Sequence, residues 1–272
     1  FSLKMIWLAL TLVVVVYSTG LGILYFAQRS LMYHPTQNLN SPALSGIPEA
    51  SPVLLSSEDG ITLQSWYSMP KKEARILVYF HGNAGNISDR AFKVRPYMNA
   101  GFGVMLVGYR GYGGNSGYPT EMGLFYDGLA ALAYLERLGF DPKTWLLYGE
   151  SLGSGVAVEM AQHYATAGTP VGALILEAPF TSMTDVAAKH YPYVPTRTLV
   201  KDRYDSLAKI ANINTRLLIF HGDRDRVVPF SLGKQLFDKA AEPKRFFQVK
   251  GAGHNNLYDF GSAKMVIDFL NQ

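Results

Sequence analysis

The sequence predicts an α/β fold in which a mostly parallel central sheet is flanked by helices. Short runs of Val, Ile and Leu alternate with helical stretches through most of the 272 residues. Each run is nearly continuous in apolar residues, which is typical of strands buried on both faces. Glycine-rich loops with polar residues follow five of the runs. In a parallel sheet such loops gather at the edge where ligands bind.

The predicted elements start with a hairpin and continue as alternating strands and helices. Two strands within residues 52–70 meet at Asp59-Gly60, a dipeptide typical of tight hairpin turns. The chain then alternates between strands at 76–80, 104–109, 145–148, 171–176, 217–220 and 245–249 and helices at about 88–100, 121–138, 152–167, 231–240 and 258–270. Residues 51–272 are therefore expected to form one domain with a single core.

An uncharged apolar segment, Met5 to Ala27, precedes this domain. As a helix it would be about 35 Å long at about 1.5 Å per residue, which exceeds the roughly 30 Å of a bilayer's hydrocarbon core. Lys4 and Arg29 bracket the segment, and aromatic residues lie near both ends. We expect residues 1–30 to form a single-pass membrane anchor and residues 31–50 a linker or surface arm. A signal peptide is the alternative, but the segment is long and no Ala-x-Ala site follows it.

Composition and motif content argue against several classes of protein. The chain has no cysteine, which excludes disulfides, thiolate metal sites and cysteine nucleophiles. Its net charge of +4 is spread along the sequence, so we expect no nucleic-acid partner. No H-E-x-x-H motif or closely spaced histidine pair is present, and the loop GYGGNSG lacks the third glycine of a dinucleotide site. We therefore expect neither a metal nor a cofactor.

The segment GESLG, residues 149–153, has the G-x-S-x-G pattern of a nucleophile elbow. It lies where a predicted strand ends and a helix begins, so Ser151 is the candidate nucleophile. Leu152 then offers its backbone N–H at the helix N-terminus to a developing oxyanion. A serine hydroxyl is a weak nucleophile at its ordinary pKa, so the mechanism requires a histidine base and a carboxylate that orients it.

Six histidines compete for the role of base. His254 lies on the turn GAGHNN after the last predicted strand, from which its side chain can reach Ser151. His81 and His221 each begin a strand-end loop and precede glycine, so a structural role is expected for both. The others, His34, His163 and His190, are expected to be solvated or packed. For the acid, Asp223 and Asp225 share one loop, and spacing alone does not separate them.

Five ordered segments resemble the membrane-anchored α/β-hydrolases of the Bem46-like group: FHGNAGN, YRGYGGNSGYPTEMGL, GESLGSGVA, HGDRDRVVP and GAGHNN. The resemblance covers about residue 51 to the C-terminus and implies the α/β-hydrolase fold with a short cap at about 178–212. In the pattern H-G-x-x-D-x-x-V-P the acid is the fifth residue, here Asp225. The residue after the first His-Gly pair, Asn83, is implied as the second oxyanion donor. Gly108 departs from the group, which usually has aspartate there.

The function predicted from these features is that of a membrane-anchored serine hydrolase. It would cleave carboxylic ester or thioester bonds of lipid-derived or acylated substrates through an acyl-enzyme, with Ser151, Asp225 and His254 as the triad. Three apolar residues of the cap, Phe180, Met183 and Tyr191, are expected to line the substrate groove. Two alternatives stay open: a serine aminopeptidase-like peptidase, and a non-catalytic binding module tethered to the membrane.

Overall fold

The structure is a computed structural model that describes residues 2–71 and 75–272. Its strands are β1 (His34–Pro35), β2 (Ser51–Ser56), β3 (Thr62–Ser68), β4 (Ile76–Phe80), β5 (Ala84–Gly85), β6 (Gly103–Val107), β7 (Trp145–Glu150), β8 (Ala173–Glu177), β9 (Arg216–Gly222) and β10 (Lys244–Val249). Its α-helices are α1 (Leu3–Met32), α2 (Ala91–Asn99), α3 (Glu121–Arg137), α4 (Leu152–Thr166), α5 (Met183–His190), α6 (Thr196–Leu199), α7 (Phe230–Lys239) and α8 (Ser262–Leu270).

Eight strands form the central sheet in the order β2-β3-β6-β4-β7-β8-β9-β10. β2 pairs antiparallel with β3, and β3 pairs antiparallel with β6, whereas every other pairing in this sheet is parallel. The chain leaves β4 for β6 on one side and later reaches β7 on the other. This switch opens a crevice beyond the carboxyl ends of β4 and β7, where sheets of this kind bind ligands. The predicted α/β fold with a mostly parallel sheet is confirmed.

Apolar side chains cover both faces of the sheet, which explains why the strand sequences are nearly continuous in Val, Ile and Leu. Helices α3, α4 and α7 pack against one face, and α2 and α8 pack against the other. β4, β6 and β8 are buried along their whole lengths. The central strands are therefore held rigidly, and the loops at their ends start from fixed positions.

The N-terminal helix α1 is 30 residues long, with a mean hydropathy of 2.1 over its most apolar window and no buried residue in that window. Its length and composition allow it to cross a membrane. The helix ends at Met32, two residues beyond the expected boundary. The following segment, expected as a linker or arm, packs on the domain: β1 pairs with β5, and Ile47 and Ala50 are buried.

The cap lies between β8 and β9 and contains α5 and α6, within the expected 178–212. The carboxyl half of α1 lies against it. Arg29 of α1 makes two hydrogen bonds to the Asp202 carboxylate, of 2.8 and 3.0 Å. The hydroxyl of Tyr17, twelve residues earlier on the helix, donates to the carbonyl oxygen of Tyr193 at 2.7 Å. The helix is thus attached to the cap at two levels along its axis.

Close backbone packing explains two of the strand-end glycines. A Cβ atom on Gly153 would lie 2.1 Å from the carbonyl oxygen of Phe80, so α4 meets the end of β4 directly. A Cβ atom on Gly108 would lie 2.1 Å from the carbonyl oxygen of Gln64. This second contact accounts for the departure noted at that position, because an aspartate there would force β3 and the loop after β6 apart.

Gly153→Ala is expected to lower the free energy of unfolding by about 1–3 kcal/mol, as overpacking of a dense core does. The physical reason is the contact with Phe80, since backbone atoms of a central strand cannot move aside as a flexible side chain can. Thermal unfolding of the detergent-solubilised protein measures the change. Gly22→Ala is the matched control because an added Cβ there meets nothing within 4 Å. Equal stability of the two variants would contradict the packing argument.

Candidate active site

The backbone at Ser151 is strained. Its φ of 50° and ψ of −115° lie outside the regions that L-residues ordinarily adopt. The Ser151 N–H donates to the carbonyl oxygen of Glu177 at 2.9 Å, and the Ser151 carbonyl accepts from Ser154 N at 2.9 Å. A Cβ atom on Gly149 would lie 2.5 Å from the Ser154 Cα, so the turn can close this tightly only with glycine there. The predicted elbow is therefore present as a sharp strand-to-helix turn.

Three of the predicted site residues form a continuous chain of hydrogen bonds. His254 Nε2 lies 2.9 Å from Ser151 Oγ, and His254 Nδ1 lies 2.6 Å from Asp225 Oδ2. The second carboxylate oxygen of Asp225 accepts hydrogen bonds from the backbone N–H groups of Val227 and Val228, both at 2.8 Å. The carboxylate is thereby fixed on its loop, and it in turn fixes the plane of the imidazole.

The surroundings of Asp225 favour its ionised form. Burial by itself would raise the pKa of this carboxyl group, but hydrogen bonds from His221 and His254 outweigh it and hold the pKa well below the ordinary range. His221 Nε2 lies 3.2 Å from Asp225 Oδ2 and 3.0 Å from the carbonyl oxygen of Val228. Both neighbours are acceptors, so Nε2 carries a proton. His221 has the structural role expected for it.

The structure separates the two candidate acids. The carboxylate of Asp223 accepts hydrogen bonds from Gly251 N at 2.8 Å and from the Gln248 amide at 3.2 Å. The hydrogen bond from Gly251 lowers the pKa of Asp223, which is exposed. The His254 ring bonds to Asp225 and Ser151, and within the described residues it makes no hydrogen bond to Asp223. Asp223 joins the loop after β9 to the end of β10 and the turn that follows it.

The two residues expected to donate to the oxyanion lie where the N-terminus of α4 meets the loop after β4. Leu152 is the first residue of α4, and Asn83 is on the loop after β4, which α4 touches at Phe80. The Asn83 side chain donates to the carbonyl oxygen of Met32 at 2.8 Å, and its own carbonyl oxygen accepts from Tyr112 Oη at 2.7 Å. Among the described residues, no hydrogen bond is recorded for the Asn83 backbone N–H. The oxyanion role of both residues stays a prediction.

The remaining histidines lie outside the chain of hydrogen bonds. His81 is buried beside the Tyr109 ring, with the ring centroids 4.2 Å apart, and its Nδ1 lies 2.7 Å from the Gly82 carbonyl oxygen. Burial lowers the pKa of His81 to about 3, so the ring is neutral at physiological pH. His190 on the cap lies 2.8 Å from the Val227 carbonyl oxygen. His34 lies in β1, and His163 lies on α4 beside Tyr164.

A buried ionic network behind the elbow was not predicted from the sequence. Lys93 Nζ lies 2.8 Å from Glu177 Oε1 and 3.2 Å from Glu150 Oε2. Glu150 also binds Arg90 at 2.9 Å and accepts a hydrogen bond from Tyr79 Oη at 2.6 Å. The available signal was a glutamate at the end of an otherwise apolar strand, in ALILE and in LLYGE.

This network acts on the backbone at Ser151. Glu150 immediately precedes Ser151, and the carbonyl group of Glu177 holds the Ser151 N–H. Lys93 therefore joins the two residues that brace the strained turn. Burial would raise the pKa of Glu150, but Lys93 and Arg90 hold it far below its ordinary value. The two glutamates, Lys93, Ser151 and His254 share the lining of a polar cleft of about 220 Å³.

The expected substrate-groove residues fall into two groups. Met183 and Tyr191 line a second cavity, of about 450 Å³, between α1 and the cap. Phe180 does not line it, because its side chain is only 1% exposed and packs in the apolar core with Leu152 and Tyr204. Phe180 is therefore a core residue beneath the cap, and its expected role in the groove is corrected.

Comparisons with known proteins define the class. Residues 75–206 match the family described as the α/β hydrolase fold. The chain is also 38% identical over 254 residues to a protein of Mycobacterium tuberculosis, in an alignment that covers 91% of this chain and 89% of that one. The chain belongs to the α/β-hydrolase family. The matched segment contains Ser151, whereas Asp225 and His254 lie beyond its end.

Two relatives and two solved structures refine this assignment. Lysophosphatidylserine lipase ABHD12 of Danio rerio is 32% identical over 242 residues, which cover 76% of this chain and 63% of that protein. Human ABHD12B is 34% identical over 244 residues, covering 76% of this chain and 66% of that protein.

An α/β-hydrolase from Vibrio vulnificus superposes with a TM-score of 0.69 at 24% identity, covering 82% and 81% of the two chains. The Pyrococcus furiosus esterase Pf2001 superposes with a TM-score of 0.65 at 18% identity, covering 88% and 97%. The structural likeness shows the fold, and the lipase relative confirms the predicted class of enzyme, a serine hydrolase.

Lys93→Met is expected to lower the free energy of unfolding by about 3–5 kcal/mol, the usual cost of breaking a buried ion pair from one side. The reason is that Glu150 and Glu177 would lose their shared cation inside the protein. The thermal midpoint in detergent measures the loss. Lys264→Met is the matched control, because the ion pair of Lys264 with Asp268 is exposed and should contribute little. Unchanged stability of Lys93→Met would show that the network does not brace the turn.

Proposed function

We propose that this protein is a membrane-anchored serine hydrolase that cleaves carboxylic ester or thioester bonds of lipid-derived substrates. The observation that carries the proposal is the chain of hydrogen bonds from Ser151 through His254 to Asp225, with distances of 2.9 and 2.6 Å. A hydroxyl, an imidazole and an ionised carboxylate in this order form a nucleophile, a general base and an orienting acid. The strained turn at Ser151 supports the same assignment.

In the proposed reaction His254 moves the proton twice. Its Nε2 accepts the hydroxyl proton of Ser151 while Oγ attacks the carbonyl carbon, and the carbonyl π electrons move onto oxygen. Asp225 stabilises the resulting imidazolium through the Nδ1 hydrogen bond. The tetrahedral intermediate then collapses, the bond to the leaving oxygen or sulfur breaks, and His254 returns the proton to it. Water, deprotonated by His254, repeats the sequence on the acyl-serine and releases the carboxylic acid.

The negative charge on the carbonyl oxygen would be met by the backbone N–H groups of Leu152 and Asn83. Leu152 begins α4, so its N–H is unused by the helix and the positive end of the helix dipole lies behind it. Asn83 is fixed by hydrogen bonds of its side chain and carbonyl oxygen, which leave the N–H available. One such donor contributes on the order of 10²–10³ in rate.

Three features favour a lipid substrate. The chain is 32% identical to a protein named as a lysophosphatidylserine lipase. The N-terminal helix α1 is long and apolar enough to cross a bilayer, and as an anchor it would keep the active site at the membrane. An apolar cavity lies beside the cap.

A peptidase could use acidic residues of the cap to bind the free amino terminus of a substrate. Three aspartates of this cap already have other partners. Asp185 accepts from Thr181 and Ser182, Asp202 binds Arg29, and Asp205 accepts from Ala208 N.

Ser151→Ala is expected to abolish covalent labelling by a fluorophosphonate while the protein stays folded, because the phosphorus forms its bond with the serine Oγ. In-gel fluorescence with a tagged fluorophosphonate measures the labelling, and circular dichroism verifies the fold. Ser154→Ala is the matched control, since Ser154 is a buried serine one turn away on α4. A folded wild-type chain that takes up no label would favour the non-catalytic binding module.

Asp225→Asn is expected to lower kcat for p-nitrophenyl butyrate by about 10⁴, as loss of the triad acid does elsewhere. The amide carries no charge and can present an N–H to Nδ1. The imidazole is then no longer held in the productive tautomer, and the imidazolium is no longer stabilised by a carboxylate. Asp223→Asn, two residues away on the same loop, should stay within about threefold of the wild type, because the Asp223 carboxylate contacts Gln248 and Gly251 and not the imidazole of His254. The reverse ranking of the two variants would reassign the acid.

A further inference from the structure

An apolar cavity lies between α1 and the cap. It measures about 450 Å³, a size typical of small-ligand sites. One wall is formed by α1, through Leu24, Tyr25, Gln28, Leu31 and Met32. The opposite wall is formed by the cap and the loop that carries Asp225. The N-terminal helix is therefore part of a cavity and not only a tether.

Two residues that line this cavity contact the loops that carry Asp225 and Asn83. Val227 lines the cavity, and its backbone N–H donates to Asp225 Oδ1 at 2.8 Å. Met32 also lines the cavity, and its carbonyl oxygen accepts from the Asn83 side chain at 2.8 Å. The walls thus contact the acid on one side and the expected oxyanion loop on the other.

The outer end of the cavity lies within the apolar segment of α1. Leu24 and Tyr25 line the cavity and also belong to the uncharged run that ends at Ala27. The contact between Tyr17 and the cap residue Tyr193 lies still further along α1, about 18 Å from Arg29 at about 1.5 Å per residue. If α1 spans the bilayer, the tip of the cap reaches into the hydrocarbon layer. The cavity then borders the lipid tails directly.

Polar contacts hold this arrangement at its membrane-surface end. The Gln28 amide donates to the carbonyl oxygen of Leu199 at 3.1 Å, and its oxygen accepts from Lys201 N at 2.8 Å. Lys201 Nζ lies 3.9 Å from the centroid of the Tyr25 ring. Together with the pair between Arg29 and Asp202, these contacts fix α1 against the cap beside the cavity. The wall contributed by the helix is therefore held at a set distance from the wall contributed by the cap.

We propose that this cavity is the acyl-chain site of the enzyme and that it receives one chain directly from the bilayer, with α1 as a substrate-contacting wall. The inference rests on the proposed serine hydrolase function and adds the substrate class, a single-chain long acyl ester embedded in a membrane. The apolar lining, the contacts of its walls with Asp225 and Asn83, and the position of Leu24 in the membrane segment support this occupant. The polar cleft beside Ser151 leaves room for a polar leaving group outside the cavity.

The test fills the cavity in the full-length protein. Leu24→Trp fills it from α1, and Ala187→Phe fills it from α5. Activity is measured on p-nitrophenyl palmitate and on p-nitrophenyl acetate in lipid nanodiscs. Each variant should lower the ratio of the two kcat/KM values, palmitate over acetate, by about tenfold or more, since a methylene in an apolar pocket is worth about tenfold or more in specificity. Ile23→Trp, on an exposed face of the same helix, should keep the wild-type ratio.

The outcomes separate the two proposals. A wild-type chain that hydrolyses neither ester overturns the proposed function. A wild type that hydrolyses both, with an unchanged ratio in Leu24→Trp and Ala187→Phe, overturns the acyl site alone and leaves the cavity as a packing gap between helix and cap. An equal fall of the ratio in Ile23→Trp also overturns it, because that variant changes the bilayer contact of α1 and not the cavity.

A second measurement avoids substitutions altogether. A long-chain alkyl fluorophosphonate with a diazirine at the end of its chain reacts with the wild-type protein, and irradiation then links the chain to its neighbours. Peptide mass spectrometry should locate these links on α1 between residues 24 and 32 or on α5. Links confined to other parts of the domain would place the chain elsewhere and overturn the proposal.

Discussion

The strained backbone turn at Ser151 is the constraint on which the rest of the site depends. The backbone conformation of a non-glycine residue with a φ of 50° costs on the order of 1–3 kcal/mol, so contacts with the surrounding structure must hold it in place. Two devices do this. Gly149 and Gly153 allow α4 to approach β4 and β7 more closely than any side chain would permit. Lys93 joins Glu150 and Glu177, which hold the turn through the chain and through the Ser151 N–H.

The sheet brings residues that are distant in sequence together beside the strained turn. Ser151 is separated from His254 by 103 positions, yet their side chains lie within hydrogen-bond distance. Each stands on a loop at the carboxyl end of a strand, and parallel pairing brings those ends to one edge. The Asp225 carboxylate is shielded from water, whereas the polar cleft beside Ser151 leaves its hydroxyl accessible. An ionised carboxylate and an accessible hydroxyl can therefore lie on opposite sides of one imidazole ring.

Much of the fold and of the candidate site was predictable because the sequence patterns that indicate them are local. Continuous apolar runs indicate strands buried on both faces, and the polar residues just after them indicate the loops that meet at the edge. Asp223 and Asp225 were not separable by spacing, because both follow the same strand. The family resemblance implied Asp225, and the hydrogen bonds of the folded loop agree with that choice. Phe180 was misplaced for a related reason, since an aromatic residue after a strand can point into the core as easily as into a groove.

The contacts that the sequence did not reveal are those between segments far apart in the chain. The network of Lys93 brings α2 against the ends of β7 and β8, and the pair of Arg29 with Asp202 brings α1 against the cap. No periodicity or spacing reports such pairings, because each partner looks like an ordinary charged residue in its own segment. The pair of Arg29 with Asp202 gives the N-terminal helix a defined position against the cap.

The most direct test of the central claim is an experimental structure of the protein after reaction with a fluorophosphonate. We expect phosphorus bonded to Ser151 Oγ, with the phosphoryl oxygen about 2.7–3.1 Å from the backbone nitrogens of Leu152 and Asn83. His254 should lie beside the adduct, with its Nδ1 still bonded to Asp225. Phosphorus on another residue, or a phosphoryl oxygen turned away from both nitrogens, would contradict it.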